Sequence, residues 1–246
     1  VERWQIERKL GEGGFGAVYR VKDIREDVKA LLADRNFALK VLRMEVTVLT
    51  ELGKRGGRHF CKIEDKGRVG SFNYVVMTLV GKSLQDLRKE SPAGHMSMGT
   101  ALSVGIQTLE ALEDLHSIGY LHRDVKPPNY TVGRAELGEV YVLDFGMCRK
   151  FTNEQGVMRR PRSTAGFRGT VRYAPIACHV SRELCRKDDV ESWLYMQVEL
   201  TTGEIPWKSI TEMNWVGEFK KRARDPPFSN ELFAGCPREY PQIMTY

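Results

Sequence analysis

The sequence predicts an α+β fold in which a strand-rich N-terminal part precedes a larger, mainly helical part. Three observations lead to this prediction. Short runs rich in β-branched and aromatic residues occupy the first third of the chain, and later runs place apolar residues at the spacing of a helix face. The chain has 246 residues with 41% hydrophobic content, so it can bury a sizeable core as one large domain or two small lobes.

The predicted strands surround a glycine-rich stretch. The runs WQIERKL, AVYRVKD and FALKVL are rich in β-branched or aromatic residues, which favours extended structure. A further strand, SFNYVVMTLV, ends at Gly81. Beyond it the pattern changes to that of helices, so we expect residues 81–83 to connect the two parts.

Helical periodicity begins in RMEVTVLTEL, where Val46, Leu49 and Leu52 recur at three-residue spacing. It returns in SLQDLRKE and in GTALSVGIQTLEALEDLHSIG, and we expect DDVESWLYMQVELTTG to form another helix. Glycine is the stop signal of the last two predicted helices. The apolar face of the longest one consists of Leu102, Ile106, Leu109, Leu112 and Leu115, and Gly119 ends it.

Composition limits the functional classes. No apolar run approaches the roughly 20 residues that cross a bilayer, and the first residues do not begin a signal peptide, so we expect no membrane anchor. The cysteines are odd in number and lack zinc-binding spacing, which favours a reducing cytoplasmic or nuclear compartment. They are Cys61, Cys148, Cys178, Cys185 and Cys236.

The formal net charge of +6 favours polyanionic partners, but it does not choose among nucleotides, acidic peptides and nucleic acid. A nucleic-acid-binding module has no further support, because the sequence contains no aromatic-interleaved basic motif and no zinc-knuckle spacing. Such a module would bind RNA or DNA tightly and with strong salt dependence. We therefore expect no nucleic-acid partner.

The stretch GEGGFGAV could bring backbone amides close to phosphate groups. It is not a Walker loop, because no Gly-Lys-Ser/Thr follows, and it fits the dinucleotide-binding pattern poorly, because its glycines open no helix. Taken alone, it fits a β-hairpin with a flexible tip equally well. The glycines are Gly11, Gly13, Gly14 and Gly16.

A lysine within an apolar strand needs a specific partner if it is buried, although most strand lysines face solvent. Lys40 in FALK is such a residue, and Glu45 on the next predicted helix is its natural counter-ion. The pair could hold Lys40 against the α- and β-phosphates of ATP. Only four residues separate the two, and none is the Gly, Pro, Ser or Asp that would help the turn. We therefore expect that residues are missing between Lys40 and Arg43.

The stretch LHRDVKPPNY contains side chains suited to phosphoryl transfer. Asp124 can accept the proton of an incoming hydroxyl group, and Lys126 can offset charge on the transferring phosphoryl group. Asn129 offers an amide oxygen to Mg²⁺, and Asp144 in YVLDFGMC is a second hard oxygen ligand. An Asp-Phe-Gly tripeptide alone would normally mark only a turn.

These motifs occur once each and in order, so the chain resembles a eukaryotic protein kinase over nearly its whole length. The resemblance implies a bilobal protein kinase domain over 1–246, with a small antiparallel β-sheet and one main helix in the N-lobe (1–80). A connection (81–83) would lead to a larger, mainly helical C-lobe (84–246), from which we expect at least one terminal helix to be cut away. It also implies ATP and Mg²⁺ as cofactors, with Asn129 and Asp144 as metal ligands.

The resemblance further implies a set of nucleotide contacts. The hinge meets adenine through backbone groups, so we expect binding to tolerate Thr78, where relatives tend to carry a longer polar or acidic residue. The implied contacts are Leu10, Val18 and Ala38 around adenine, Met77 as gatekeeper, Thr78, Leu79 and Val80 as hinge, and Asp86 below the ribose.

Finer matches are similar to the casein kinase 1 superfamily and, within it, to the tau-tubulin kinase branch. They include FNYVVMTLVGKSLQDLR, AGFRGTVRYA and RKDDVESWLYMQVELTTGEIPW. Where most kinases carry Ala-Pro-Glu, this chain has Pro175-Ile176-Ala177 and so lacks the usual glutamate, as that group does. The resemblance implies a monomer that acts on protein serine or threonine. It also implies little dependence on phosphorylation of the activation segment (residues 144–175), where Ser163 and Thr164 are the candidate sites.

The activation segment is rich in arginine, which favours substrates with acidic or already phosphorylated residues. Arg168 and Arg172 are the expected anion-site residues, Arg172 by its match to relatives. After Trp207 the relatives carry lysines, whereas this chain has Glu212 and Met213, so the site is expected to be weaker or differently shaped. Alternatively, the arginines form a solvated face or pair with acidic residues such as Glu154 and Glu183. They are Arg159, Arg160, Arg162, Arg168 and Arg172.

The main rival hypothesis is a pseudokinase, which binds ATP or proteins as a scaffold and has lost catalysis. Loss of one of the residues that bind phosphate, metal or the hydroxyl proton would indicate it. This chain keeps Lys40, Asp124, Asn129 and Asp144, so an active enzyme is favoured.

Overall fold

The computed structural model describes residues 3–13, 16–24, 36–40, 44–69, 72–134 and 138–245. The predicted α+β class is confirmed: a five-stranded antiparallel sheet precedes a mainly helical part, as in the bilobal kinase fold. The strands of this sheet are β1 (Trp4–Gly13), β2 (Gly16–Asp23), β3 (Asn36–Lys40), β4 (Ile63–Val69) and β5 (Phe72–Thr78).

The sheet has the strand order β1-β2-β3-β5-β4, so β3 is central. Lys40, the last residue of β3, lies opposite Val18 of β2 and Val75 of β5. On one face of the sheet, Trp4, Val21, Leu39 and Val76 form a small buried cluster. This register places Lys40 in the middle of the sheet, where strand pairing on both sides holds its backbone.

Strand β4 was not predicted, because its sequence IEDKGRV is mostly polar. It forms at the sheet edge by pairing with β5, whose Val75 and Val76 are fully buried. Its Asp65 also accepts a hydrogen bond from the Trp4 indole N–H at 2.6 Å. Context therefore decides the conformation of β4, since strand propensity depends strongly on the neighbouring strand.

Helix α1 (Met44–Lys54) covers the other face of the sheet. As the predicted periodicity requires, Leu49 and Leu52 are buried, and Val46 is half-buried. Their cluster also contains Met77 of β5 and Phe145 of the activation segment. One apolar core therefore extends from the sheet into the helical part.

The remaining helices and strands build the helical part. The helices are α2 (Leu84–Glu90), α3 (Met98–Ser117), α4 (Ile176–His179), α5 (Arg186–Thr202), α6 (Met213–Arg222), α7 (Phe228–Leu232) and α8 (Glu239–Thr245). The short strands are β6 (Tyr120–Leu121), β7 (Tyr130–Val132), β8 (Val140–Val142) and β9 (Arg149–Lys150), paired as β6 with β9 and β7 with β8.

Between β5 and α2 the chain pairs with the helical part. The Gly81 N–H donates to Val132 O at 2.8 Å, and the Val132 N–H donates to Lys82 O at 3.0 Å. A side chain at Gly81 would place its Cβ 3.0 Å from Val132 O, so glycine permits this close approach. Ser83 then caps α2 by accepting the Asp86 N–H.

The predicted apolar face of α3 was partly wrong. Leu112 and Leu115 are buried, but Leu102, Ile106 and Leu109 are 42%, 62% and 38% exposed. The buried face instead carries smaller residues, because α5 packs closely there: Trp193 of α5 donates to Thr108 of α3 at 2.9 Å, and Gln197 donates to Ala101 O at 2.6 Å. The buried residues of α3 are Ala101, Val104, Gly105, Thr108, Ala111, Leu112 and Leu115.

None of the helices in the described ranges has the length and apolar content needed to span a bilayer. The cysteines are free thiols. Cys61, Cys148 and Cys178 are buried, Cys236 is half-buried, and Cys185 is exposed. Burial raises the pKa of the Cys236 thiol to about 11, so this group stays protonated at neutral pH.

Candidate active site

A cleft of about 730 Å³ is lined by both the sheet and the helical part. Strands β1 to β3 and β5 supply residues from the sheet, and the segment from β7 to Phe145 supplies residues from below. The cleft brings together most of the residues implied for nucleotide binding. These are Leu10, Gly11, Val18, Ala38, Met77, Thr78, Leu79, Val80, Asp86 and Asp144.

The cleft also contains apolar residues that the sequence motifs did not indicate. Cys61 and Val142 are 4% and 1% exposed, and Leu143 and Thr131 line the cleft beside them. The available signal was the β-like run that precedes Asp144. Cys61, however, reaches the cleft only because the segment after α1 lies against β8, where the Val142 N–H donates to His59 O at 2.8 Å.

Part of the expected phosphate-binding region is not described. Gly13 and Gly16 pair across the turn from β1 to β2, whereas Gly14 lies outside the described residues. The side chains of Lys40 and Glu45 also lie outside them, and so does the connection from Lys40 to Arg43. The Lys40–Glu45 pair and the expected missing residues therefore stay predictions.

Three polar side chains bind one another at residues 121–130, the LHRDVKPPNY stretch, which we call the catalytic loop. The Asp124 carboxylate is 2.7 Å from Lys126 Nζ and accepts the Thr170 hydroxyl at 2.9 Å. Lys126 Nζ also donates to Thr170 Oγ1 at 2.9 Å. Asp124 is only 8% exposed, so an unpaired charge there would be unfavourable. Lys126 and Thr170 satisfy this charge and hold the carboxylate, the group that could accept a proton, in one position.

Asn129 lies under Asp124 in a short 3₁₀ turn that begins at Pro127. Its side-chain N–H donates to Asp124 O at 2.8 Å and to Asp124 Oδ2 at 3.3 Å. These bonds use the nitrogen of the amide, so the amide oxygen is the group that could bind a cation. The Asn129 carbonyl accepts the Leu143 N–H at 2.7 Å, which joins this turn to the strand before Asp144.

Asp144 adopts a left-handed conformation, with φ 62° and ψ 78°. This conformation is uncommon for residues other than glycine and is typical of functional sites. One carboxylate oxygen accepts the Gly146 N–H at 3.3 Å. The following Phe145 is buried, with its ring centroid 6.1 Å from that of Phe60 and 6.0 Å from that of His122. Packing of Phe145 thus fixes the position of Asp144 at the cleft.

Asp189 at the start of α5 holds the catalytic loop by its backbone. Its carboxylate accepts the N–H groups of His122 and Arg123, each at 2.8 Å, and lies 2.8 Å from His116 Nε2. Arg123 has φ 67°, so these bonds stabilise a strained conformation next to Asp124. Sequence reasoning placed Asp189 only in a helix, because the contact joins residues 66 positions apart.

Gly169 allows the activation segment to approach the catalytic loop. It has φ 96°, and a Cβ there would lie 2.7 Å from Arg123 O. The next residue, Thr170, can consequently reach Asp124. Its hydroxyl donates to the carboxylate of Asp124.

Most kinases carry a glutamate directly after the proline that corresponds to Pro175, and in this chain a glutamate of α5 lies at the same turn. Glu191 of α5 accepts the Ile176 N–H at 2.8 Å and the Tyr195 hydroxyl at 2.8 Å. Its second oxygen is 2.9 Å from Arg224 Nη2. The start of α4 is therefore anchored by a carboxylate, although the local sequence supplies none.

Arg162 of the activation segment pairs with an acidic residue, as the alternative to an anion site requires. Its guanidinium binds Glu183, with Nη2 to Oε1 at 3.1 Å, and Arg149 Nε lies 3.3 Å from the same oxygen. These arginines keep the pKa of Glu183 below its usual value, and the hydrogen bonds from Arg162 have the largest effect.

Burial, together with the nearby positive charge of Arg149, lowers the pKa of Arg123.

Arg172 has a partner that the sequence did not indicate. It lies 3.4 Å from Glu199 Oε1 and 3.3 Å from Lys208 O. Glu199 is fully buried and also accepts the Tyr173 hydroxyl. Arg168 is exposed. Of the two expected anion-site residues, Arg168 faces solvent, whereas the guanidinium of Arg172 already binds the buried carboxylate of Glu199.

The donor set fits a magnesium ion that also binds phosphate. Within the described ranges, no group of three or more His, Cys, Asp or Glu side chains could hold a metal ion by itself. Asp144 instead offers a carboxylate oxygen, and Asn129 offers an amide oxygen. The hydrogen bond from the Leu143 N–H to Asn129 O connects the two segments that carry them. Mg²⁺ commonly takes one or two protein oxygens together with substrate phosphates and water.

The fold and the site together define the protein kinase class. Residues 4–231 match the protein kinase domain family, and the chain belongs to that family.

Similar proteins carry related names. Serine/threonine-protein kinase spe-6 of Caenorhabditis elegans is 37% identical over 99% of this chain and 65% of its own length. A Dictyostelium discoideum protein provisionally named as a serine/threonine-protein kinase is 35% identical over 99% of this chain and 49% of its own length. A C. elegans protein provisionally named as a casein kinase I is 35% identical over 95% of this chain and 70% of its own length. The chain thus spans about half to two thirds of the first two relatives.

Proposed function

We propose that the chain transfers the γ-phosphoryl group of ATP to serine or threonine in proteins, in a reaction that requires Mg²⁺. One observation supports the proposal most directly: Lys126 and Thr170 hold the Asp124 carboxylate, and the loop that carries it borders the cleft that Asp144 lines. Two relatives that are named as serine/threonine-protein kinases support the same reaction.

Each residue has a defined task in this reaction. Asp124 accepts the proton of the substrate hydroxyl, and Lys126 offsets negative charge on the phosphoryl group as it moves. Thr170 fixes both side chains, so the activation segment and the catalytic loop must be in place together. Asn129 and Asp144 would hold Mg²⁺, which, when bound, neutralises charge on the phosphate oxygens.

The rival proposal is a pseudokinase, and two measurements separate the hypotheses. The wild type should bind ATP in a thermal-shift assay and transfer labelled phosphate to serine peptides only with Mg²⁺. Asp124→Asn should keep ATP binding and lose about 10²-fold or more of kcat, because it removes the proton acceptor. Asp144→Ala should abolish turnover while leaving the fold intact. ATP binding by the wild type without any transfer would favour the scaffold, and full activity of Asp124→Asn would contradict the mechanism.

Within the family, we place the chain in the casein kinase 1 superfamily, near its tau-tubulin kinase branch. The motif matches and the relative provisionally named as a casein kinase I support this placement. We further propose a preference for acidic or phosphorylated substrates, supported by the exposed Arg168 and the partly exposed Arg172. Pairing of Arg172 with Glu199 predicts that this preference is modest, since part of its charge is already neutralised.

Peptides with Asp, phosphoserine, Ala or Arg around one serine test this preference. The acidic and phosphorylated peptides should have the higher kcat/KM, and Arg172→Ala should reduce the difference. Equal rates for acidic and basic peptides would refute the preference. An unchanged difference in Arg172→Ala would remove Arg172 from it.

We also propose that activity needs little activation-segment phosphorylation. In many kinases a phosphate supplies the negative charge that orders basic residues near the catalytic loop. Here the carboxylate of Glu183 binds Arg149 and Arg162. Phosphatase-treated protein should therefore keep most of its activity, and complete loss would contradict the proposal.

A further inference from the structure

Helix α6 carries a lysine that protein atoms enclose completely. Lys220 is 0% exposed, whereas the next residue, Lys221, faces solvent. The Lys220 ammonium lies 5.1 Å from the ring centroid of Tyr195 and 5.3 Å from that of Trp207. Transfer of an ammonium group from water to a protein interior is unfavourable by several kcal/mol. A lysine buried in this way requires partners that compensate.

The partners are carbonyl groups at the end of the activation segment. Lys220 Nζ donates to Val171 O at 2.8 Å and to Ala174 O at 2.6 Å. Between them in sequence, the Arg172 carbonyl accepts the Trp207 indole N–H at 2.8 Å. One lysine and the tryptophan beside it thus bind three carbonyl groups of a single turn.

This turn, residues 170–174, is closed on its inner side by Thr170. The Thr170 carbonyl accepts the N–H groups of Tyr173 and Ala174 at 2.9 and 2.8 Å. The Thr170 hydroxyl donates to Asp124 at 2.9 Å and accepts from Lys126. A continuous set of bonds therefore leads from Lys220 on α6 through the 170–174 turn to the carboxylate of Asp124.

The surroundings of Lys220 bind its charged form. Burial lowers its pKa to about 7, and the negative charge of Glu191 opposes that shift. The two carbonyl oxygens and the two ring faces lie within reach of Nζ and interact best with an ammonium group. His179 Nε2 lies 3.4 Å from Nζ. Burial, with the charge of Lys220, lowers the pKa of His179 to about 4, so His179 adds no second positive charge at neutral pH.

We propose that Lys220 is a positioning residue: it holds the 170–174 turn in the shape that lets a peptide hydroxyl reach Asp124. The proposal rests on the proposed kinase activity for its kinetic consequence, but its structural consequence is independent of catalysis. An apolar residue of similar volume would avoid the unfavourable burial of charge, and such replacements are often neutral or stabilising. Stability alone therefore does not require a lysine here, whereas binding the carbonyl groups of this turn does.

The test compares Lys220→Met with the matched control Lys221→Met, which removes an exposed charge one residue away. Three quantities are measured: the Tm, the amide hydrogen exchange of residues 170–174, and kcat and KM for ATP and for a serine peptide. Lys220→Met should keep or raise the Tm and exchange amides of the turn at least about tenfold faster. Its kcat/KM for peptide should fall about tenfold or more while the KM for ATP stays unchanged. The control should resemble the wild type throughout.

Two further variants keep the proposal open to refutation if Lys220→Met folds poorly. Trp207→Phe keeps a ring over Lys220 but lacks the N–H donor to Arg172 O, so it should change exchange and peptide kcat/KM in the same direction by a smaller factor. Lys220→Arg keeps the charge and should retain more peptide activity than Lys220→Met. Unchanged exchange of residues 170–174 in Lys220→Met and Trp207→Phe would overturn the proposal. So would equal losses for ATP and peptide that follow a fall in Tm. If the wild type transfers no phosphate, the proposed function fails, but the exchange experiment still decides the role of Lys220.

Discussion

The sheet and the helical part position their functional groups in different ways. In the sheet, the backbone and apolar side chains shape the cleft, as the register around Lys40 and the buried faces of Ala38 and Met77 show. In the helical part, buried charged side chains bind the backbone of functional loops. Asp189 holds the catalytic loop, and Lys220 holds the 170–174 turn.

The charged pairs described within the sheet lie nearer to solvent. The Arg3–Asp23 and Arg20–Glu7 pairs have side chains that are 17% to 35% exposed, and such pairs contribute little to stability. By contrast, Asp189 is 2% exposed. A buried charge has strong consequences when its partners are removed, so the helical part fixes geometry through a few residues. The sheet fixes geometry through many small contacts.

The comparison is tested most strongly at Asp189. Asp189→Ala leaves the N–H groups of His122 and Arg123 unpaired beside the strained Arg123, so we expect kcat to fall about 10²-fold or more and the free energy of unfolding to fall by about 3–5 kcal/mol. Steady-state kinetics and denaturant unfolding measure the two effects. Asp189→Asn, which keeps one acceptor oxygen, should recover part of both, and wild-type kcat in Asp189→Ala would contradict the role given to this residue.

A core truncation in the sheet should act on stability rather than on chemistry. Leu39→Ala removes a side chain that is 5% exposed in the small cluster with Trp4 and Val76, so we expect a loss of about 2–4 kcal/mol in the free energy of unfolding. The KM for ATP should rise, because β3 forms part of the cleft, while kcat at saturating ATP should change by less than about threefold. A kcat loss as large as that of Asp189→Ala would show that the two parts do not differ as described.

The close packing of α3 on α5 gives a third test. Gly105→Ala would place a Cβ 2.8 Å from the Gln197 amide, which cannot easily move because it donates to Ala101 O and to the Tyr240 hydroxyl. We expect a loss of about 1–3 kcal/mol in the free energy of unfolding. The adjacent Ile106→Ala is the control, and it should change stability by less than about 0.5 kcal/mol because Ile106 is 62% exposed. The reverse order of the two effects would contradict the orientation of α3.

The smallest expected effect concerns Glu183. Glu183→Gln removes the negative charge between Arg149 and Arg162, so we expect about a tenfold loss of kcat with little change in Tm. The loss should appear in both phosphatase-treated and untreated protein. Unchanged kcat in the treated variant would mean that the activation segment is ordered without this carboxylate.

Much of the site was predictable because its chemistry is local. The catalytic-loop residues Asp124, Lys126 and Asn129 lie within six positions, and Asp144 precedes Phe145 and Gly146 directly. Such short motifs can be recognised from the sequence because the spacing of their residues is fixed within a few positions. Helix α1 was predicted for the same reason, since the periodic pattern that identifies it lies within the element itself.

Tertiary structure decided the remainder. Strand β4 depends on pairing with β5, and the buried face of α3 depends on small residues that admit α5, so neither follows from apolar periodicity alone. Asp189, Glu191 and Lys220 bind backbone groups 15 to 67 positions away, as in Ile176 N–H to Glu191 and His122 N–H to Asp189. Every residue has a backbone carbonyl, and every residue except proline has a backbone N–H. The sequence therefore does not indicate which of these groups a buried charge will bind. The sequence by itself therefore determined the fold class and the residues that we propose to react, whereas only the tertiary structure decided which buried charges hold those residues in place.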